Sequence, residues 1–451
     1  MRDVAAADLG MTKKRFIVLA IVFAINFVVW MDESVFAILT PLWSESLKLT
    51  PEQIGSASAA YLLGYFPVLF IAGILSDRIG AKKMLLICLV GVSVLSASMA
   101  FVDSYSTLYL RNLVFGVFFG FLWAPCNKMM AMWLPGRERA RYAAIWMSFT
   151  MASGAIGAII ALPISDAIGW EKVFLLVSVL AIPLIFFLLF KTTDRPEDFK
   201  DISKEEVAYI NSDQPSVEEQ NAEKFQWSHL KDLFKQRSVW TMAIATGLGT
   251  TPTWLIGTWG SYTLLNEFKV TPTTASLMIF FVSFIPITLG FVNGSIINKF
   301  FGGKCRPALA FGPLVSGLAF FAASMFNPNF LVWGILVSGF GYFCNPFFWG
   351  TVNAYWAGIA KPQYSGTLNG LSAALQVAFG YILVNMSGKW IDSSVKGPQA
   401  LDKIWIIGGC VFLATIVLVY LSKEINVNGT TDTNSTNNIP KQEDHPATTI
   451  I

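Results

Sequence analysis

Twelve separate stretches of this chain are each long and apolar enough to cross a bilayer as a helix, and that limits every other reading. A span needs roughly 20 mostly apolar residues. The qualifying runs are 16–38, 53–75, 84–101, 107–131, 141–165, 172–190, 238–264, 273–297, 307–325, 329–356, 364–388 and 402–422. They are too long, and alternate too little, for the strands of a closed barrel. Composition agrees: 54% of residues are hydrophobic and 14% charged, against roughly 25% charged in soluble domains. The expected fold is an all-α polytopic membrane protein with twelve transmembrane helices.

Basic residues orient the spans, because they collect in cytoplasmic loops. With the N-terminus inside, inside segments hold 24 of the 32 lysines and arginines and outside loops hold 6. The other two, Arg111 and Lys128, lie within the fourth run. Both termini are therefore expected in the cytoplasm, with the chain in the plasma membrane. The sequence divides into a six-helix half (1–191), a charged linker (192–236), a second half (237–422) and a polar, Asn- and Thr-rich tail (423–451) expected to be disordered. Within the linker, "WSHLKDLFKQ" has helical amphipathic spacing and is expected to lie along the membrane surface.

The halves read as an internal repeat. "GILSDRIGAKK" (73–83) follows the second run and "GSIINKFFGGKCR" (294–306) the eighth. Gly73 to Gly294 is 221 residues, and Pro125 to Pro346 is also 221. Two landmarks at one offset argue for two pseudo-symmetric six-helix halves.

Several function classes are disfavoured. A net charge of +3 gives no basic face for nucleic acid. The five cysteines are scattered singly and the two histidines lie outside the apolar runs, so no metal site or cofactor is expected. Neither an HExxH nor a GxSxG pattern occurs, so an enzyme is not expected. What does demand a reason is charge inside the runs, which is costly in lipid and marks function. "NFVVWMDESVFAILTPLW" (26–43) places Asp32 and Glu33 together in the first run. A rise of about 1.5 Å per residue puts both ~8–9 Å inside the outer end, and Arg111 at a similar depth, ~6 Å. Neighbours on a helix diverge by about 100°, so the two acids cannot face the same partner. Lys128 sits close enough to the inner end to snorkel.

"GILSDRIGAKK" resembles the loop between the second and third helices of the major facilitator superfamily. "LRNLVFGVFFGFLWAPCNKMMAMWLPGRERARYAA" (110–144), "IGWEKVFLL" (168–176) and "YSGTLNGLSAALQ" (364–376) resemble that superfamily's anion:cation symporters. Two departures stand out. The Asp-Arg pair common in the family's first helix is here Asp32-Glu33, and the acid or amide that commonly follows R-x-L-x-G is missing from "VFFGFLW".

The resemblance implies the two-half fold and alternating access. It implies import of a small organic anion, a carboxylate or sugar acid, coupled to protons or sodium, by a monomer in the bilayer. Helices one, four, seven and ten would line a central cavity, which makes contact between Arg111 and one acid geometrically possible. The expected coupling groups are Asp32 and Glu33. The expected substrate-binding groups are Arg111, with its planar fork for carboxylate, and Asn26, Tyr65, Trp259, Asn345 and Gln376. Gly73, Asp77, Arg78, Gly80, Lys82 and Lys83 would form a cytoplasmic latch between the halves. Two other readings remain open: a proton-coupled exporter of drugs or cations, and a transporter-like membrane sensor.

Overall fold

The computed structural model describes residues 12–212, 227–326, 329–360, 362–391, 395 and 397–426. Apolar runs in lipid must satisfy their backbone internally, and these do so as helices. The first half holds α1 (Lys14–Ile38), α2 (Pro51–Ile79), α3 (Ala81–Phe101), α4 (Tyr105–Trp133), α5 (Gly136–Ile168) and α6 (Trp170–Lys191). The second begins with α7, in two pieces (Arg237–Thr250 and Thr253–Tyr262), and α8, also in two (Pro272–Val282 and Phe284–Phe301). It continues with α9 (Cys305–Met325), α10 (Phe330–Ile359), α11 (Pro362–Trp390) and α12 (Asp402–Leu421). Among the described residues eleven spans are long and apolar enough to cross a membrane; α7 completes the twelve, its two pieces meeting at Thr251-Pro252, where proline cannot extend the ladder.

Two further interruptions have local causes. In α4 the helix breaks at Gly120-Phe121-Leu122 before resuming at Trp123. In α10 the ladder loosens to a π-turn over Ile335–Gly339 and tightens over Phe340–Phe343. Ser316 of α9 fills the gap there: its Oγ donates to the Phe340 carbonyl at 2.9 Å and accepts from the Cys344 N–H at 3.0 Å. A side chain inserted into a helical ladder is a recognised cause of such a break.

The halves touch through α2 against α11 and α5 against α8. The α2–α11 contact is very close at one end. A Cβ on Gly388 would lie 2.0 Å from the Pro51 carbonyl oxygen, and one on Gly55 would lie 2.8 Å from the Val384 carbonyl oxygen. Small residues let helix backbones approach in this way. The helices run antiparallel, so 18 residues further on, about 27 Å along the axis, Gly73 should stand beside Gly370. Neither has any atom within 4 Å of its would-be Cβ. The halves are thus closed on the face away from the termini and parted on the terminus-bearing face. A Lys389–Glu52 ion pair at 3.2 Å and a hydrogen bond from Ser261 Oγ to the Ala37 carbonyl at 3.0 Å also cross the closed face.

The segment after α6 folds back on its own half. Glu206, in a short helix (Lys204–Asn211), is fully buried. It accepts from the backbone N–H groups of Lys14 and Arg15 at 3.1 and 3.0 Å and from Thr12 Oγ1 at 2.6 Å. These donors open α1, where a helix has no internal acceptor. Tyr209 donates to Glu138, which also pairs with Arg15 at 3.6 Å. The second half repeats the device at another helix: Glu424, just past α12, accepts from the Arg306 N–H at 3.1 Å near the start of α9. The helix Trp227–Lys235 packs on protein, with Leu230 and Leu233 buried among Val239, Met242 and Tyr364.

Candidate functional site

The adjacent acids of α1 part company, as their helical angle requires. Asp32 turns into its own half and is 1% exposed. Its Oδ1 accepts from Ser96 Oγ of α3 at 2.8 Å, while Oδ2 has no protein partner. Arg111 of α4 lies near enough to act on Asp32 electrostatically. Its own bonds go elsewhere: Nε donates to the Leu95 carbonyl and Nη1 to Asn112 Oδ1, each at 2.9 Å. The guanidinium stacks 4.6 Å from the centre of the Phe115 ring. Among the described residues no ion pair joins Arg111 to either acid.

Glu33 turns the other way, to the seam between the halves. Its Oε1 accepts from the Tyr61 hydroxyl of α2 at 3.1 Å, and Tyr342 of α10 lies within electrostatic reach from the second half. Tyr61 is placed there by the tight seat of α2 on α4. A Cβ on Gly64 would fall 1.9 Å from the Leu113 carbonyl oxygen, and one on Gly116 1.9 Å from that of Tyr61. Around Glu33 runs a narrow cleft lined by Phe36, Ser58 and Tyr61 from the first half and Trp254 and Thr258 from the second. The Phe36 ring is fixed by stacking on Trp43, 5.0 Å between centres, and Trp43 donates its Nε1–H to the Phe36 carbonyl. About 20 Å³ of the cleft is open to the centres of water molecules, enough for about one water. With the opposite face closed, it is a polar seam and holds no room for an organic acid.

The remaining sequence candidates lie elsewhere. Asn26 is fully buried and donates to Thr150 Oγ1 of α5 at 2.8 Å. Trp259, also fully buried, donates to Ser387 Oγ of α11 at 2.7 Å, within the second half. Tyr65 packs edge-on against Phe119 at 5.4 Å, and Asn345 and Gln376 are half-buried. In the α2–α3 loop, Asp77 pairs with Lys128 of α4 at 2.8 Å, and the same ammonium donates to the Ser76 carbonyl at 2.9 Å. Gly80 adopts φ +95°, a conformation that side chains resist. Lys82 is tied to the end of its own half, its N–H to Asp194 Oδ1 at 2.8 Å and its Nζ to the Leu189 and Thr192 carbonyls. Arg78 and Lys83 are exposed, and Gly73 faces open space.

Sequence reasoning did not single out Tyr61, Ser96, Ser58 or Thr258. A hydroxyl one helical turn from Tyr65 carries no signal of its own; only the helix packing shows that Tyr61, rather than Tyr65, meets the acid.

Two six-helix halves, sealed on one face, parted on the other and carrying a carboxylate at the seam, define a membrane carrier. The chain belongs to the Major Facilitator Superfamily, which it matches over residues 22–385; it is a transporter and not an enzyme. It is 29% identical over 171 residues to the hexuronate transporter of Bacillus subtilis (strain 168), a match spanning 38% of this chain and 40% of that one. It is 23% identical over 417 residues to the probable sulfoacetate transporter of Cupriavidus necator, spanning 87% and 94%. Against the probable galactarate/D-glucarate transporter of Escherichia coli (strain K12) it is 25% identical over 299 residues, spanning 63% and 66%. These relatives accord with the likeness to anion:cation symporters read from the fourth run. Among solved structures, a bacterial homolog of the human lysosomal transporter Spinster, inward-facing and unoccupied, superposes with a TM-score of 0.70 at 13% identity, covering 91% of this chain and 96% of that one. A D-xylose-proton symporter does so with 0.70 at 14% identity, covering 92% and 99%. At such identities the likeness is one of fold.

Proposed function

We propose that this protein imports a small organic acid, a carboxylate or sugar acid, across the plasma membrane by alternating access, with both termini in the cytoplasm and one or more protons or sodium ions as the driving ion. The observation that carries this reading is Glu33, a carboxylate at the seam between the moving halves, held by Tyr61 on one side and facing the second half on the other. A group so placed changes surroundings each time the halves rock, which is what a coupling site requires. Asp32, anchored to Ser96 beside Arg111, holds α1 in the rotation that aims Glu33 at the seam. Arg111, Asn26, Tyr65, Trp259, Asn345 and Gln376 remain the candidates for contacting substrate as the halves exchange partners. Gly73, Asp77, Arg78, Gly80, Lys82 and Lys83 act as a latch when the parted face closes.

The test is uptake into proteoliposomes of the purified protein under an imposed proton or sodium gradient. Glu33→Gln is expected to abolish gradient-driven accumulation while leaving exchange of substrate for substrate. Accumulation that survives in both Glu33→Gln and Asp32→Asn would remove these acids from coupling. One observation favours a second reading, a cation exporter: a carboxylate among Phe36, Tyr61 and Trp254 also suits an organic cation. Tight binding of tetraphenylphosphonium, lost in Glu33→Gln, would support it.

A further inference from the structure

We infer that the driving ion is a proton carried on Glu33, exchanged through a single water held between Glu33, Ser58 and Trp254. The inference rests on the coupling role given to Glu33 above and chooses between the two ions left open there. The cleft has room for about one water. Among its lining residues, Ser58 Oγ and the Trp254 indole N–H are both buried without a protein partner. The Tyr61 hydroxyl takes Glu33 Oε1, which leaves Oε2 for a further donor. These three groups call for one molecule that accepts from the indole, donates to the carboxylate and exchanges either way with a hydroxyl. Water does all three, and buried polar groups are commonly met in this way.

A sodium ion does not. It has no lone pair for the Trp254 N–H, which is a donor only. It also needs oxygens to replace its hydration shell, and transporters supply these from carbonyls freed where helices break. Here α1 runs unbroken through Glu33, and α2 through Ser58 and Tyr61. Around the breaks in α7 and α10 the carbonyls already accept from hydroxyls. Thr253 Oγ1 donates to the Thr250 carbonyl at 2.6 Å, Thr258 Oγ1 to that of Trp254 at 3.2 Å and Ser316 Oγ to that of Phe340 at 2.9 Å. A proton asks for no such cage. Loading protonates Glu33 Oε2 from the water, which draws a proton in turn from whichever aqueous side is open; release reverses both transfers. The titratable groups facing Glu33 are Tyr61 of α2 and Tyr342 of α10, with Asp32 beside it on α1. From α7 and α11 come Trp254, Thr258 and Val384, which do not titrate. Among the described residues no lysine or arginine lines the cleft, so a proton on Glu33 meets no competing cation.

The test follows labelled glucuronate in proteoliposomes, under an inward proton gradient without sodium or an inward sodium gradient at equal pH on both sides. Accumulation is expected under the first and not under the second. Ser58→Ala and Trp254→Phe should each lower proton-driven accumulation roughly tenfold relative to glucuronate exchange, the effect of losing one hydrogen bond to the water. Ser58→Thr should recover it. The ratio cancels any loss of folded protein, which lowers both rates together. In purified protein without substrate, the infrared C=O band of protonated carboxyls should gain, as pH falls, a component that Glu33→Gln lacks. Accumulation driven by sodium at equal pH, a ratio unmoved in both variants, or a band unchanged by Glu33→Gln each overturns the inference. A panel of carboxylates of which none is carried, with the Glu33 component present, overturns the organic-acid reading and leaves the proton site standing.

Discussion

Gly388 of α11 stands so close to Pro51 of α2 that a methyl group on it would lie 2.0 Å from the Pro51 carbonyl oxygen. This is backbone against backbone, so no side chain can swing aside to make room. Gly388→Leu is expected to prop the closed face open at an overpacking cost of about 1–3 kcal/mol. A cysteine placed at Thr258, labelled from that face by an impermeant thiol reagent, should react at least about tenfold faster in the variant, as a shift of 1.4 kcal/mol implies. Gly73→Leu, at the parted end where nothing lies within 4 Å, should leave that labelling and the melting temperature unchanged. Equal labelling in the two variants would show that the seal does not depend on the glycine contact.

Gly80 answers to its own half. Its φ of +95° disfavours any side chain, and a Cβ there would sit 2.5 Å from Asp194 Oδ2. Gly80→Ala is expected to cost about 1–3 kcal/mol of stability through backbone strain, read as a lower melting temperature in detergent. Adding Asp194→Ala removes the clash but also the acceptor for the Lys82 N–H, so the double variant should not recover wild-type stability. Full recovery would mean that the clash, and not the backbone, sets the cost.

Lys128 bonds Asp77 with good geometry, yet the Asp77 side chain is 76% exposed. Solvent screening holds such a pair to about 0–1 kcal/mol. Lys128→Met should therefore change thermal stability by less than about 1 kcal/mol. A loss several times larger would show that the pair is shielded from water in the membrane-embedded protein.

Ser96 is the donor that Asp32 relies on, at 2.8 Å, and the other carboxylate oxygen has no protein partner. Ser96→Ala leaves a buried acid unsatisfied and should cost about 1–3 kcal/mol. Because Asp32 sets the rotation of α1, uptake should fall as well, with gradient coupling weakened more than substrate exchange. Equal loss of both would assign Ser96 to general stability.

Glu206→Ala should destabilise the first half by about 1–3 kcal/mol, since two backbone N–H groups and a hydroxyl lose their acceptor. Glu206→Gln keeps one acceptor oxygen and should lose less. A melting temperature that moves equally for the two would show that charge, and not acceptor count, matters here.

The sequence carried the helices well, because lipid enforces long apolar runs whatever they pack against. All twelve runs correspond to helical spans, and the divergence of Asp32 from Glu33 follows from the angle between helical neighbours. Which way each one points does not follow. A helix bathed in lipid is apolar on both faces, so periodicity does not separate the face toward protein from the face toward lipid. For that reason Arg111 could be placed at the depth of the acids, while its turn toward Leu95 and Asn112 could not be foreseen. The same blindness hid Tyr61, whose place depends on two glycines letting α2 settle onto α4. The docking of 204–211 was hidden differently: a charged segment with one buried glutamate looks like any polar linker until its partner helix is known.

That docking bears on how the protein is made. The first helix leaves the ribosome long before the residue that satisfies its opening amides; Glu206 lies 192 residues beyond Lys14. Until the sixth helix has been threaded and the chain has returned to the starting side, the first turn has only water or lipid headgroups as acceptors. A half inserted with one helix missing would bring Glu206 out on the wrong side of the bilayer, and its bonds could not form. The bonds of Glu206 are therefore met only when an even number of crossings separates it from the start of α1.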